Sequence, residues 1–147
     1  MEFSEERLEN LMRVYDDYIV RCDYIRMPEV YAYIANAPAD RFYVSDARAA
    51  VVVSDMMQGK PLTSMRPLKR EMFEEIGRRV MELRKLHPSW TMRKLCTLVV
   101  EQPAPKFYIT PGSAKIMVCK ARKIWISKKL KRLAHFPILQ LQQTENL

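Results

Sequence analysis

Pro38-Ala39-Asp40-Arg41-Phe42-Tyr43-Val44-Ser45 returns 65 residues later as Pro103-Ala104-Pro105-Lys106-Phe107-Tyr108-Ile109-Thr110. Four of the eight positions are identical and three are conservative exchanges, so the run marks an internal duplication, and the repeat decides the fold. The same offset places Met27 on Met92, Val30 on Leu95, Ile34 on Val99, Ala49 on Ala114 and Val53 on Val118, and upstream it places Leu8, Leu11 and Tyr15 on Phe73, Ile76 and Val80.

Each copy reads as three helices. Ser4 is a candidate N-cap with Glu5 and Glu6 in the first turn, and Leu8, Leu11, Tyr15, Tyr18, Ile19 and Cys22 recur at helical spacing, which predicts a helix over 5–22. Pro28 suits a first turn and opens a shorter helix through Val30, Tyr31 and Ile34. Ser45 caps a third helix over 46–58, with Gly59 as its stop. After a linker over 60–64 the pattern repeats, with a helix over 67–86 ended by Pro88 and a second over 91–100. Thr110 then caps a long third helix with Pro111 at its first position. That helix passes through Trp125 to about residue 134, where Phe136-Pro137 is expected to break it. Nothing in the chain asks for a sheet.

A support helix, a short helix, a turn and a capped helix resemble a helix-turn-helix unit. The connection between the second and third helices, eight residues in each copy, is longer than the turn of three or four residues of that motif. The Pro-Ala-x-Arg-Phe-Tyr-Val-Ser run also resembles proteins of phages or mobile elements. The expected fold is therefore all-α: two tandem copies of a three-helix, helix-turn-helix-like module joined by a short linker. Residues 1–60 form an acidic interaction copy, 65–136 a basic copy and 137–147 a C-terminal tail. Phe42 and Phe107 are expected to plug the core, with Tyr43 and Tyr108 covering it and their hydroxyls at the edge.

Composition fits a soluble globular chain, with 48% hydrophobic and 29% charged residues, and excludes disordered and membrane-spanning classes. Only 3 residues are Gly, which argues against phosphate-binding loops and many-hairpin β folds. The first residues, Met1-Glu2-Phe3-Ser4-Glu5-Glu6, are acidic where a secretory signal would be basic, so an intracellular, cytoplasmic protein is expected. Cys22, Cys96 and Cys119 are widely spaced among apolar neighbours and read as buried thiols. With His87 and His135 the only histidines, no metal ligand cluster forms, and no nucleophile or phosphate motif is present. No enzyme activity, metal, cofactor or small-molecule substrate is expected.

The net charge of +8 is not shared between the copies. Residues 1–60 carry seven basic and eleven acidic side chains, a net of −4, and residues 61–147 carry 18 and 6, a net of +12. Much of this surplus lies on the last helix. Lys115, Arg122 and Lys129 are seven apart and share a face, with Lys120, Lys123 and Lys131 beside them, and Lys128 and Arg132 make eight. No carboxylate occurs between Glu101 and Glu145. Ala114, Met117, Val118, Ala121 and Trp125 are expected to face the core. Lys69, Arg70, Arg78, Arg79, Arg84 and Lys85 extend the positive field to the middle helix, and Lys106, like Arg41, precedes the aromatic pair.

Such a run points to nucleic acid, DNA before RNA, held by phosphate contacts through Lys106, Lys115, Lys120, Arg122, Lys123, Lys128, Lys129, Lys131 and Arg132. Base readout is less supported, because Lys outnumbers Arg and little Asn or Gln lies on the cationic face. The competing reading is a structural or adaptor protein of a phage or mobile element, placed in a virion, acting as a homo-oligomer or in a larger protein assembly. Its support is the near-continuous apolar third helix of the first copy (Ala47, Ala49, Ala50, Val51, Val52, Val53, Met56, Met57).

Overall fold

Side-chain caps set three of the six helix starts. The computed structural model describes residues 3–145, with side chains from Phe3 to Ala134. Its helices are α1 (Ser4–Arg21), α2 (Met27–Asn36), α3 (Asp46–Met57), α4 (Pro67–Leu86), α5 (Met92–Val100) and α6 (Pro111–Glu145), and the chain is all-helical among the described residues. The Ser45 hydroxyl accepts the Arg48 N–H at 3.1 Å, Thr91 accepts that of Lys94 at 3.2 Å, and Thr110 that of Ser113 at 3.0 Å. Each satisfies one of the unpaired N–H groups of a first turn. Beyond α3, Gly59 takes a φ of +81°, the left-handed conformation that a C-terminal glycine supplies.

The boundaries fall within one residue of the sequence expectation except at the end of α6, and two of the differences have a physical reason. Ser4 is already helical and Phe3 stands at the cap without a side-chain bond, because the Phe3 carbonyl accepts the Arg7 N–H and closes the first turn one residue early. The break at Phe136-Pro137 does not occur: α6 continues to Glu145. A proline removes one intrahelical bond and crowds the preceding turn, a local cost a helix can absorb by bending. Of the tail 137–147, the helix includes all but the last two residues, which lie outside the described residues with the side chains beyond Ala134.

The copies do not stand side by side as self-contained bundles. α1 and α2 pack on each other and on α6, while α4 and α5 pack on each other and on α3. The third helix of each copy thus completes the other copy's bundle, and the boundaries at 60 and 65 mark the repeat rather than the packing units. The stripe Ala49, Val52 and Val53 faces α4 and α5, and Ala114 and Val118 face α1 and α2.

The two connecting loops must cross for this exchange. They meet at Ala39 and Ala104, which exchange both backbone hydrogen bonds at 3.0 Å. Around that bridge Phe42 stacks with Tyr108 and Tyr43 with Phe107, at centroid distances of 6.1 and 6.2 Å. Each contact is the repeat image of the other, which describes a pseudo-twofold arrangement within one chain. Phe42 and Phe107 are buried at 1% and 4% exposure, as expected, while the tyrosines are half-buried over them and the Tyr43 hydroxyl turns inward to Asn10 instead of lying at the edge. Tyr108 has a φ of +57°, a strained value for an aromatic residue, held by the packing of its ring.

First-helix residues at equivalent positions hold these loops. The buried Asn10 side-chain carbonyl accepts the Asp40 N–H at 2.8 Å and the Tyr43 hydroxyl at 2.7 Å. Its counterpart, Glu75, instead accepts from Arg79, whose guanidinium donates to the Pro103 carbonyl at 2.9 Å and lies over the Phe42 ring.

Candidate nucleic-acid interface

α6 has two parts with different surroundings. In its first turns Ala114 and Val118 are fully buried, Met117 and Ala121 partly so, and Lys115 and Lys120 point outward. Arg122 donates to the Tyr15 hydroxyl and covers that ring at 5.1 Å, so a side chain expected on the free cationic face is held against α1. Burial pushes the Tyr31 phenol up, and the same guanidinium pulls it partly back.

Beyond Arg122 the helix outruns its support. At about 1.5 Å per residue the 35 residues of α6 reach roughly twice as far as the 18 of α1. Trp125, expected in the core, is therefore 62% exposed. Its ring carries Lys129 at 4.8 Å, a cation–π contact rather than core packing. Lys123, Lys128, Lys131 and Arg132 are exposed on this projecting part, and no salt bridge among the described residues involves α6.

The cations therefore do not form one face. At about 100° per residue, Lys128 and Arg132 continue the core-facing side past the end of the body, while Lys115, Arg122 and Lys129 lie to one flank and Lys120 and Lys131 to the other. The projecting segment is a rod with positive charge around most of its circumference. It can lie against a phosphate backbone without inserting a defined edge, which suits contacts that read charge and not bases.

The other basic residues contribute less than their number suggests. Lys106, in the loop before α6, pairs with Glu71 of α4 at 2.6 Å and lies 5.5 Å from the Tyr108 ring, so its charge is offset by a carboxylate where those of α6 are not. Arg78 and Arg79 bind Glu75, Arg78 also binds Glu82, and those guanidinium groups hold the Glu75 carboxyl below the usual range. Arg84 leans on Met57 of α3. Cys119 is exposed, in contrast to the expectation of three buried thiols. Cys22 is half-buried and Cys96 fully buried, its thiol pushed up to about 11 by burial. Among the described residues no cluster of His, Cys, Asp or Glu could hold a metal ion, and no helix is long and apolar enough to cross a membrane.

One feature was missed by reading α6 as a single packed face with a cationic back. Ile116, Cys119, Ile126, Leu130 and Leu133 form a second apolar line on the side away from α1 and α2, and all are exposed. Its signal was present as a spacing of three and four residues, obscured by the lysines around it. Comparison with protein-family models, curated proteins and solved structures finds no match for the chain.

Proposed function

We propose that the chain is a non-catalytic, intracellular nucleic-acid-binding protein, with DNA as the favoured ligand, acting through phosphate contacts of the projecting part of α6. The observation that carries this reading is eight Lys and Arg side chains from Lys115 to Arg132, five of them exposed on the part past Arg122, on a helix with no carboxylate before Glu145. A solubility role would be met equally well by interspersed charges of both signs, whereas an unbroken cationic rod is fitted to a polyanion. On this reading the helix-turn-helix-like unit is composite: α1 and α2 come from one copy and the presented helix, α6, from the other.

Binding is expected to be weakly specific and steeply salt-dependent. Neutralising about six phosphates of a duplex lowers affinity by about a thousandfold between 50 and 200 mM salt. Fluorescence anisotropy with a labelled duplex across a salt series measures this. Changing Lys128, Lys129, Lys131 and Arg132 together to Glu, on a segment beyond the body, should abolish binding and leave the helical signal intact. A salt-independent affinity, or full binding by that variant, overturns the reading.

The exposed apolar line on α6 favours a second reading, a structural or adaptor protein of a phage or mobile element that acts by protein assembly. Light scattering of the purified chain, with and without nuclease treatment, separates the two. Co-purified nucleic acid supports the first, and a defined protein oligomer insensitive to nuclease supports the second.

A further inference from the structure

We infer that the outer face of α6 is a docking surface for an acidic amphipathic helix of another protein, paired with it as a short coiled coil. This goes beyond the nucleic-acid reading and does not need it. Ile116, Cys119, Lys123, Ile126, Leu130 and Leu133 follow one another at spacings of three and four, the a and d positions of a heptad seam. The seam is open: Ile116 is 70% exposed and Leu130 61%, with Ile126 and Leu133 about half exposed. A globular chain gains nothing by showing water a regular apolar line over more than four helical turns.

Charge selects the occupant. The g positions beside the seam are Lys115, Arg122 and Lys129, and the e positions are Lys120, Ser127 and Ala134, so the flanks carry no carboxylate and four cations, of which Arg122 is turned toward Tyr15 and Lys115, Lys120 and Lys129 are left for a partner. A second copy pairing in parallel would set Lys123 against Lys123 and Lys115 against Lys120. An antiparallel pair would set the three cationic g positions against their own images. Self-pairing is thereby disfavoured, and Glu or Asp at the partner's flanking positions turns the same residues into attractions. A lipid surface fits less well, because Lys123 stands in the middle of the apolar line, where its ammonium would have to enter the acyl boundary.

The probe is a labelled synthetic peptide of about three heptads, with Leu at its seam and Glu at its flanks, and a twin in which every Glu is Lys. Both are titrated by anisotropy into the full-length chain at about 0.1 M salt, where direct contacts survive screening. The Glu peptide should bind one to one, at least about tenfold tighter than the Lys twin. The variant carrying Ile126→Ser, Leu130→Ser and Leu133→Ser should lose at least about tenfold while keeping its helical signal and its duplex affinity. That separates the failure of this inference from failure of the nucleic-acid reading, which the Lys-to-Glu variant tests. Because Cys119 lies in the seam, bound peptide should also slow its alkylation by iodoacetamide, read by peptide mass spectrometry, without changing that of Cys22. Equal binding of the twins, undiminished binding by the triple variant, unchanged Cys119 reactivity, or a stable homodimer with Cys119 protected would each overturn the inference.

Discussion

Ala39 and Ala104 are the same position of the two copies, and each donates its backbone N–H to the other's carbonyl. A repeat that meets itself in this way cannot be divided at its linker without uncovering core. Residues 1–60 alone would leave Ala49, Val52 and Val53 without α4 and α5, and would deprive α1 and α2 of α6. Each fragment expressed alone should show low, non-cooperative helicity. Mixing 1–60 with 61–147 should restore most of the far-UV circular dichroism signal of the full chain. A fragment 1–60 that unfolds cooperatively on its own would mean that the exchange contributes little.

The aromatic pairs beside that bridge should be coupled. Phe42→Ala and Phe107→Ala each remove a buried ring and should cost about 3–5 kcal/mol, measured by denaturant unfolding. Phe42 stacks on Tyr108 and not on its sequence neighbour Tyr43. A double-mutant cycle between Phe42 and Tyr108 should therefore give an interaction of about 0.5–1.5 kcal/mol. The same cycle between Phe42 and Tyr43 should give less.

The helices were legible because their starts rest on local chemistry. Ser45, Thr91 and Thr110 are short polar side chains in front of apolar periodicity, and their capping bonds need no tertiary partner. The exchange was not legible, for a physical reason. Ala49-Val52-Val53 and Ala114-Met117-Val118 are equivalent stripes, so either stripe can complete either bundle as far as composition tells. What decides between them is how two loops cross, and the bonds at that crossing are made by alanine backbone, which leaves no signature in side chains. On the functional side, the charge of α6 was legible. Arg122, Trp125 and Lys106 were misplaced because the length of α6 relative to α1, and the presence of Glu71, are relations between distant segments.

Asp46 links the exchanged helix α3 to α5 and should make the fold acid-sensitive. Its carboxylate accepts from Arg93 at 3.1 Å and from Thr97 at 2.9 Å, and these bonds, that of Arg93 foremost, hold it below the usual carboxylate range. Glu75 is lowered in the same sense by Arg78 and Arg79. For a depressed folded pKa the unfolded chain binds the proton first, so the stabilisation is present above about pH 4 and lost as pH falls through the folded values. Thermal melts should show Tm falling below about pH 4. Asp46→Asn should lower Tm at neutral pH and make that acid loss shallower. Identical acid profiles for the variant and the parent would remove Asp46 from the linkage.

At the opposite end of the scale, Tyr43 and Tyr108 should limit alkaline stability. Burial raises each phenol to about 12, so the fold favours the neutral form. Here the sign is reversed: stability is full below the ordinary phenol pKa near 10 and declines as pH rises toward about 12. Absorbance near 295 nm should show Tyr43 and Tyr108 ionising last of the seven tyrosines and together with unfolding. The two sites separate on substitution. Tyr43→Phe removes the bond to Asn10 and should cost about 1 kcal/mol at neutral pH. Tyr108→Phe should be close to neutral there, because the Tyr108 hydroxyl makes no hydrogen bond among the described residues. Both variants should retain more of their neutral-pH stability above pH 10 than the parent does, since a phenylalanine has no proton to lose. If the double variant unfolds in alkali at the same midpoint as the parent, the buried phenols are not the groups whose ionisation opens the pseudo-twofold crossing.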